Sequence, residues 1–150
     1  MDKLDVLKKS EPFKNLTDEE LDSVAKLCRS DVFEPGTVIF KKGPGERLYI
    51  IENGNVSIML EVGPLMQRQV QTASRYDVFG WSSMIEPFKY TSTAKATKKT
   101  TTISFDGREL YDLCTSRPDM GLKITRGLFQ VIRKRLREAY HQLIGVTDRT

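Results

Sequence analysis

From Ser30 to Phe105 the chain is a succession of short runs rich in β-branched and aromatic residues, each cut off by glycine, proline or asparagine, and this punctuation predicts sheet. The runs fall at Val32-Phe33, Thr37 to Lys41, Arg47 to Glu52, Asn55 to Val62 and Gln67 to Ala73. Between them stand Glu34-Pro35-Gly36, Gly43-Pro44-Gly45, Asn53-Gly54 and Gly63-Pro64, all read as turns. Asn53-Gly54 is the strongest hairpin signal, because a two-residue hairpin turn needs residues that tolerate positive φ. After an interruption from Gly80 to Lys89, two more strands are expected at Tyr90 to Thr97 and Thr100 to Phe105. Short strands at this spacing predict a compact, barrel-like β structure.

The flanks read differently. Thr17-Asp18-Glu19-Glu20 has the form of a capping box, and Leu21, Val24, Leu27 and Cys28 follow at helical spacing. A shorter helix is expected from Lys3 to Ser10, before Pro12. Asp106 suits the cap of a helix over Arg108 to Ser116, and Pro118 suits the first turn of a helix running to about Ile144. The fold class is therefore α+β: N-terminal helices over 3–29, a β-roll over 30–105 and C-terminal helices over 106–144. At 150 residues, one domain spanning 1–150 is expected.

On the last helix Leu122, Thr125, Phe129, Ile132, Leu136, Ala139 and Leu143 recur in alternating steps of three and four, the seam spacing of a coiled coil. Ile124, Leu128 and Val131 form a second stripe beside it. One stripe can pack on the β structure while the other meets a second copy. A parallel homodimer through Leu122, Phe129, Ile132, Leu136 and Leu143 is expected; a single broad face buried within the monomer is the alternative.

The 39% hydrophobic and 29% charged content is that of a globular chain, and no apolar run reaches the length of a membrane span. Met1 to Ser10 lacks the apolar stretch of a secretory signal, so a cytoplasmic location is expected. Cys28 and Cys114 show no metal-type spacing, and His141 is the sole histidine, so no metal site and no cofactor are expected. No nucleophile–base pair or P-loop appears, and the chain is not read as an enzyme. The net charge of +4 concentrates in Arg126, Arg133, Lys134, Arg135 and Arg137 on the long helix. Such a run contacts polyanions or is simply a solvated helix face.

The β segment resembles the cyclic nucleotide-binding domain family of catabolite-activator-type regulators, kinase regulatory subunits and gated channels. The resemblance rests on Phe33, Pro35-Gly36, Ile39-Phe40, Gly43, Gly45-Glu46, Tyr49-Ile50-Ile51, Gly54, Val56 and Ile58, then Phe79-Gly80 and Thr91 to Ala96, in that order. It covers roughly Leu16 to Ile144. It implies a jelly-roll-like β-roll carrying a phosphate-binding cassette with a short helix, then two helices, the second forming the dimer interface and capping the ligand. Bacterial regulators of the family carry a helix-turn-helix after that helix; with this sequence ending at Thr150, sequence-specific DNA reading is not expected.

The family cassette runs Phe-Gly-Glu-Leu-Ala, then several residues, then Arg-Ala/Thr-Ala. Here it runs without gaps from Phe79-Gly80-Trp81-Ser82-Ser83 through Lys89-Tyr90-Thr91, and these residues are the candidate ligand site. Gly80 permits close backbone approach, and Ser82 and Ser83 can add hydroxyl donors at a helix start that faces an anion. Two positions are changed. The carboxylate that would accept from a ribose hydroxyl is Trp81, whose indole only donates. The guanidinium that would neutralise the cyclic phosphate is Tyr90, and Lys89 beside it points to the other face of a regular strand. Two lost charge-assisted hydrogen bonds, at roughly 1.5–3 kcal/mol each, argue against cAMP binding in the family manner. Trp81 and Tyr90 either stack on another ligand or fill the pocket. The expected function is a regulatory sensor of a small anionic or nucleotide-like ligand, with a ligand-free dimeric interaction module as the alternative.

Overall fold

The computed structural model describes residues 2–145; Met1 and residues 146–150 of the expected domain span lie outside the described residues. Local side-chain chemistry sets the first two helices. Helix α1 (Lys3–Lys9) starts where the Asp2 side chain accepts from the Leu4 N–H at 3.1 Å. Helix α2 (Asp18–Ala25) starts at a complete capping box: the Glu20 N–H donates to Thr17 Oγ1 at 3.2 Å, and the Thr17 N–H donates to Glu20 Oε1 at 2.9 Å. Lys123 donates to the same carboxylate at 2.7 Å. That bond and the Thr17 N–H hold the Glu20 carboxyl below the usual carboxylate range.

Ten strands follow: β1 (Arg29–Phe33), β2 (Val38–Phe40), β3 (Gly43–Pro44), β4 (Arg47–Asn53), β5 (Val56–Gly63), β6 (Met66–Ala73), β7 (Val78–Phe79), β8 (Lys89–Tyr90), β9 (Thr93–Ala96) and β10 (Thr100–Asp106). They form two four-stranded antiparallel sheets, ordered β1-β10-β4-β7 and β2-β9-β5-β6, and a small ladder of β3 with β8. Four details differ from the sequence reading. Asn53-Gly54, read as a hairpin turn, instead carries the chain from one sheet to the other, since β4 pairs with β10 and β7 while β5 pairs with β6 and β9. Gly43-Pro44, read as a turn, is a strand, because it pairs with Lys89-Tyr90 from the far side of the cassette. The single strand expected over 90–97 is two, broken by a bend at Thr91-Ser92 where the chain leaves β3 for β5. The two-residue strand β7 lies in a stretch given no strand, and is held there by β4.

Helix α3 (Gly107–Ser116) begins under Asp106, whose carboxylate accepts from the N–H groups of Arg108 and Glu109, both at 3.0 Å. Helix α4 (Pro118–Leu143) carries proline in its first turn. Met120, Ile124 and Leu128 join Val6, Leu7, Phe13, Leu48 and Phe105 in the larger core cluster, with Val131 packed against it. The other stripe faces outward: Phe129 is 64% exposed and Leu143 83%, with Leu122 and Leu136 also exposed and Ile132 half-buried. Gly127 lets the buried face approach the N-terminal segment, since a Cβ there would lie 2.4 Å from Pro12 Cα. No helix among the described residues is long and apolar enough to cross a membrane.

Candidate ligand site

The cassette begins at Gly80, which is left-handed at φ 81° and so favours glycine. A Cβ there would also meet the Arg47 carbonyl oxygen at 2.7 Å. A short 3-10 turn, Trp81–Met84, follows, and the Ser83 N–H and hydroxyl both donate to the Gly80 carbonyl, at 3.2 and 2.8 Å. Ser83 is consequently 1% exposed and turned toward the protein interior.

Tyr90 stands at the family's arginine position and its phenol is fully engaged. It accepts from the Arg47 N–H at 2.8 Å and donates to the Arg47 carbonyl at 2.5 Å. Its ring stacks on Phe40 with centroids 3.7 Å apart, and Phe79 stacks on Tyr49 at 4.9 Å. Burial raises the Tyr90 phenol and pushes Tyr49 up to about 12, so neither supplies negative charge near neutral pH. The result is an aromatic floor at the cassette end rather than a cationic one.

Above this floor lies a cavity of about 880 Å³, between the cassette, the β5–β6 hairpin and the C-terminal half of α4. Leu60 faces Arg68 and Ile58 faces Gln71 across the hairpin, and cross-strand partners share one side of a sheet. Arg68 and Gln71 keep to that side despite their odd spacing because the register shifts between Ile58 and Met59. Helix α4 is clamped onto β6 by three hydrogen bonds. Gln71 Nε2 donates to the Arg135 carbonyl at 2.9 Å, an Arg135 guanidinium nitrogen to the Thr72 carbonyl at 3.0 Å, and Gln142 Nε2 to the Val70 carbonyl at 2.5 Å.

Of the residues singled out in the sequence, Phe79, Gly80, Trp81, Ser82, Tyr90 and Thr91 line the cavity. Ser83 and Lys89 do not; Lys89 lines a separate cleft with Phe88 and Arg108. Trp81 also packs on the edge of the larger core cluster. Sequence reasoning missed Phe40, Ile58, Arg68, Gln71, Arg135 and Gln142, although alternation along β5 and β6 carries a signal for the hairpin members. Arg135 interrupts the basic run on α4: only 9% exposed, it lies between this cavity and a second cleft of about 430 Å³ lined by Lys9, Tyr76, Arg133, Lys134 and Arg137. His141, in the last turn of α4, lines the main cavity. Among the described residues no group of three His, Cys, Asp or Glu could hold a metal ion.

Comparison with known proteins places this geometry. Over 140 residues the chain is 26% identical to a CRP-like cAMP-activated global transcriptional regulator of Mycobacterium tuberculosis, covering 93% of this chain and 61% of that protein. The chain thus spans about three fifths of the length of that relative. A Geobacter metallireducens protein of cyclic nucleotide-binding type superposes with a TM-score of 0.80 at 27% identity, over 91% of this chain and 99% of that one. The regulatory subunit of a cAMP-independent protein kinase A from Trypanosoma cruzi, bound to guanosine, shares the fold at a TM-score of 0.65 and 22% identity, over 71% of this chain and 38% of that one. The curated relative is a regulator, and the roll, cassette and long helix described above are those of a regulatory ligand-binding fold. The family model for the cyclic nucleotide-binding domain matches residues 31–117, more than half the chain, and the chain belongs to the cyclic nucleotide-binding domain family.

Proposed function

We propose that this chain is a dimeric regulatory sensor whose cavity takes a small anionic or nucleotide-like ligand, and that cAMP in the usual family pose is not that ligand. The observation that carries the reading is the cavity itself. Tyr90 folds against the floor, tied to Arg47, and about 880 Å³ remains above it, within the range of small-molecule sites. A filled pocket would make the chain a pure interaction module; the open volume favours the sensor. That the Trypanosoma cruzi subunit, which shares this fold over part of its length, is bound to guanosine supports a ligand other than a cyclic phosphate. No catalytic role and no cofactor is part of this reading, and a cytoplasmic site of action is.

Regulation follows from the place of α4. The helix lends Arg135, Ala139 and Gln142 to the cavity and presents Phe129 and Leu136 outward. A ligand that prefers one docking of α4 therefore shifts the surface offered to a second copy. The test of the sensor is a thermal-shift series with cAMP, cGMP, cyclic dinucleotides, AMP and a metabolite panel. Ligand at 100 times its dissociation constant stabilises by about 2.7 kcal/mol, a rise of roughly 5–11 °C here. No rise with any compound at millimolar concentration favours the interaction module.

The dimer is tested separately. Phe129→Glu with Leu136→Glu places charge in the exposed seam and is expected to sediment as a monomer while the wild-type protein sediments as a dimer. A wild-type monomer at 100 μM overturns the dimer.

A further inference from the structure

The charge in the cavity has changed ends. At the cassette end the arginine position is a neutral phenol closed on the Arg47 backbone, and Lys89 is outside. The cationic residues that line the cavity are instead Arg68 on β6 and Arg135 on α4, and no Asp or Glu among the described residues lines it. The Arg68 side chain makes no ion pair or hydrogen bond among the described residues, although its place opposite Leu60 sets it on the cavity side of the hairpin. Arg135 is nine-tenths buried, and the carboxylate nearest it, the half-buried Glu138, is 3.7 Å away. A buried guanidinium with donors to spare gains most from an anion brought into the same low-dielectric space.

From this we infer that the ligand is an organic anion with a flat aromatic body, bound in reverse of the family pose: ring against the Phe40–Tyr90 floor beside Trp81, carboxylate or phosphate toward Arg68 and Arg135. The inference rests on the sensor reading above and specifies its ligand class. The floor supplies stacked aromatic faces. It also supplies the hydroxyls of Ser82, Thr91 and Ser92, which suit neutral ring substituents. A ribose diol has no carboxylate to receive it. Because the anion would touch β6 and α4 together, it would join the clamp that already holds the helix to the hairpin.

The test is calorimetric titration with 2-naphthoate and with its neutral counterpart 2-naphthamide, alongside the nucleotide panel. Naphthoate is expected to bind at least about tenfold more tightly than naphthamide, and Arg68→Gln to remove that preference, weakening naphthoate by roughly ten- to hundredfold. Arg135→Gln should act in the same direction. Should it fail to fold, the exposed Arg68 variant carries the test alone. Arg108→Gln, on the cleft outside the cavity, controls for net charge and should leave binding unchanged. Equal affinity for the acid and the amide, or no effect of Arg68→Gln, overturns the reversed anion pole while the cavity remains a ligand site. Binding of a nucleotide from the panel but of neither naphthyl compound overturns the ligand class. Binding of nothing at all overturns the sensor reading together with it.

Discussion

Trp81→Glu combined with Tyr90→Arg is expected to raise affinity for cAMP by two to four powers of ten over the wild-type protein, read by calorimetry. Each change restores one charge-assisted hydrogen bond that the family cassette makes, at roughly 1.5–3 kcal/mol apiece. The gain has a cost in the free protein. The Tyr90 phenol satisfies both the N–H and the carbonyl of Arg47, and its ring lies 3.7 Å from Phe40. Its loss should lower stability by about 1–3 kcal/mol without ligand, recovered when cAMP binds. The Gly80 turn that brings backbone N–H groups to the cassette is unchanged by either substitution. A variant that melts cooperatively yet ignores cAMP would show that the cassette backbone no longer has the geometry to hold a cyclic phosphate.

Gly127→Val should destabilise the protein by about 3 kcal/mol or more, lowering Tm by roughly 6–12 °C. The atoms in the way are Pro12 Cα at 2.4 Å and the Glu11 carbonyl at 2.6 Å, both backbone, so no side-chain rotation relieves the clash. Helix α4 must move away from the N-terminal segment, opening the contacts of Ile124 and Leu128 with the larger core. Gly63→Ala is the matched control: its Cβ would meet nothing within 4 Å, and a change within about 0.5 kcal/mol is expected. Equal melting temperatures for both variants would mean that α4 is not anchored as described.

What could be read from the sequence was what neighbouring residues decide among themselves. Thr17 and Glu20 form their capping box within four residues, Asp106 caps α3 and Pro118 opens α4. The two stripes on α4 were legible because a helix turns its own periodicity into faces, and the structure buries one and exposes the other. Pairing between distant segments was harder to see. Gly43-Pro44 has turn chemistry and becomes a strand only because Lys89-Tyr90 arrives beside it. The cassette shows the same division. Its span and its two altered positions were plain in the residue string, but nothing there tells Ser82 from Ser83, which the 3-10 turn sends to opposite sides. Arg68 and Arg135 enter the cavity by tertiary means, one through a register shift in a hairpin and the other through the docking of a helix some sixty residues later.

Trp81 is the protein's only tryptophan, and it lies on the cavity wall. Light absorbed beyond the tyrosine band is therefore taken up at a single place in the molecule, the place where a ligand would arrive. The same substitution that replaced a carboxylate with an indole has left an optical probe there. Emission from the unlabelled protein reports occupancy of the cavity and the approach of α4, with no other indole in the background.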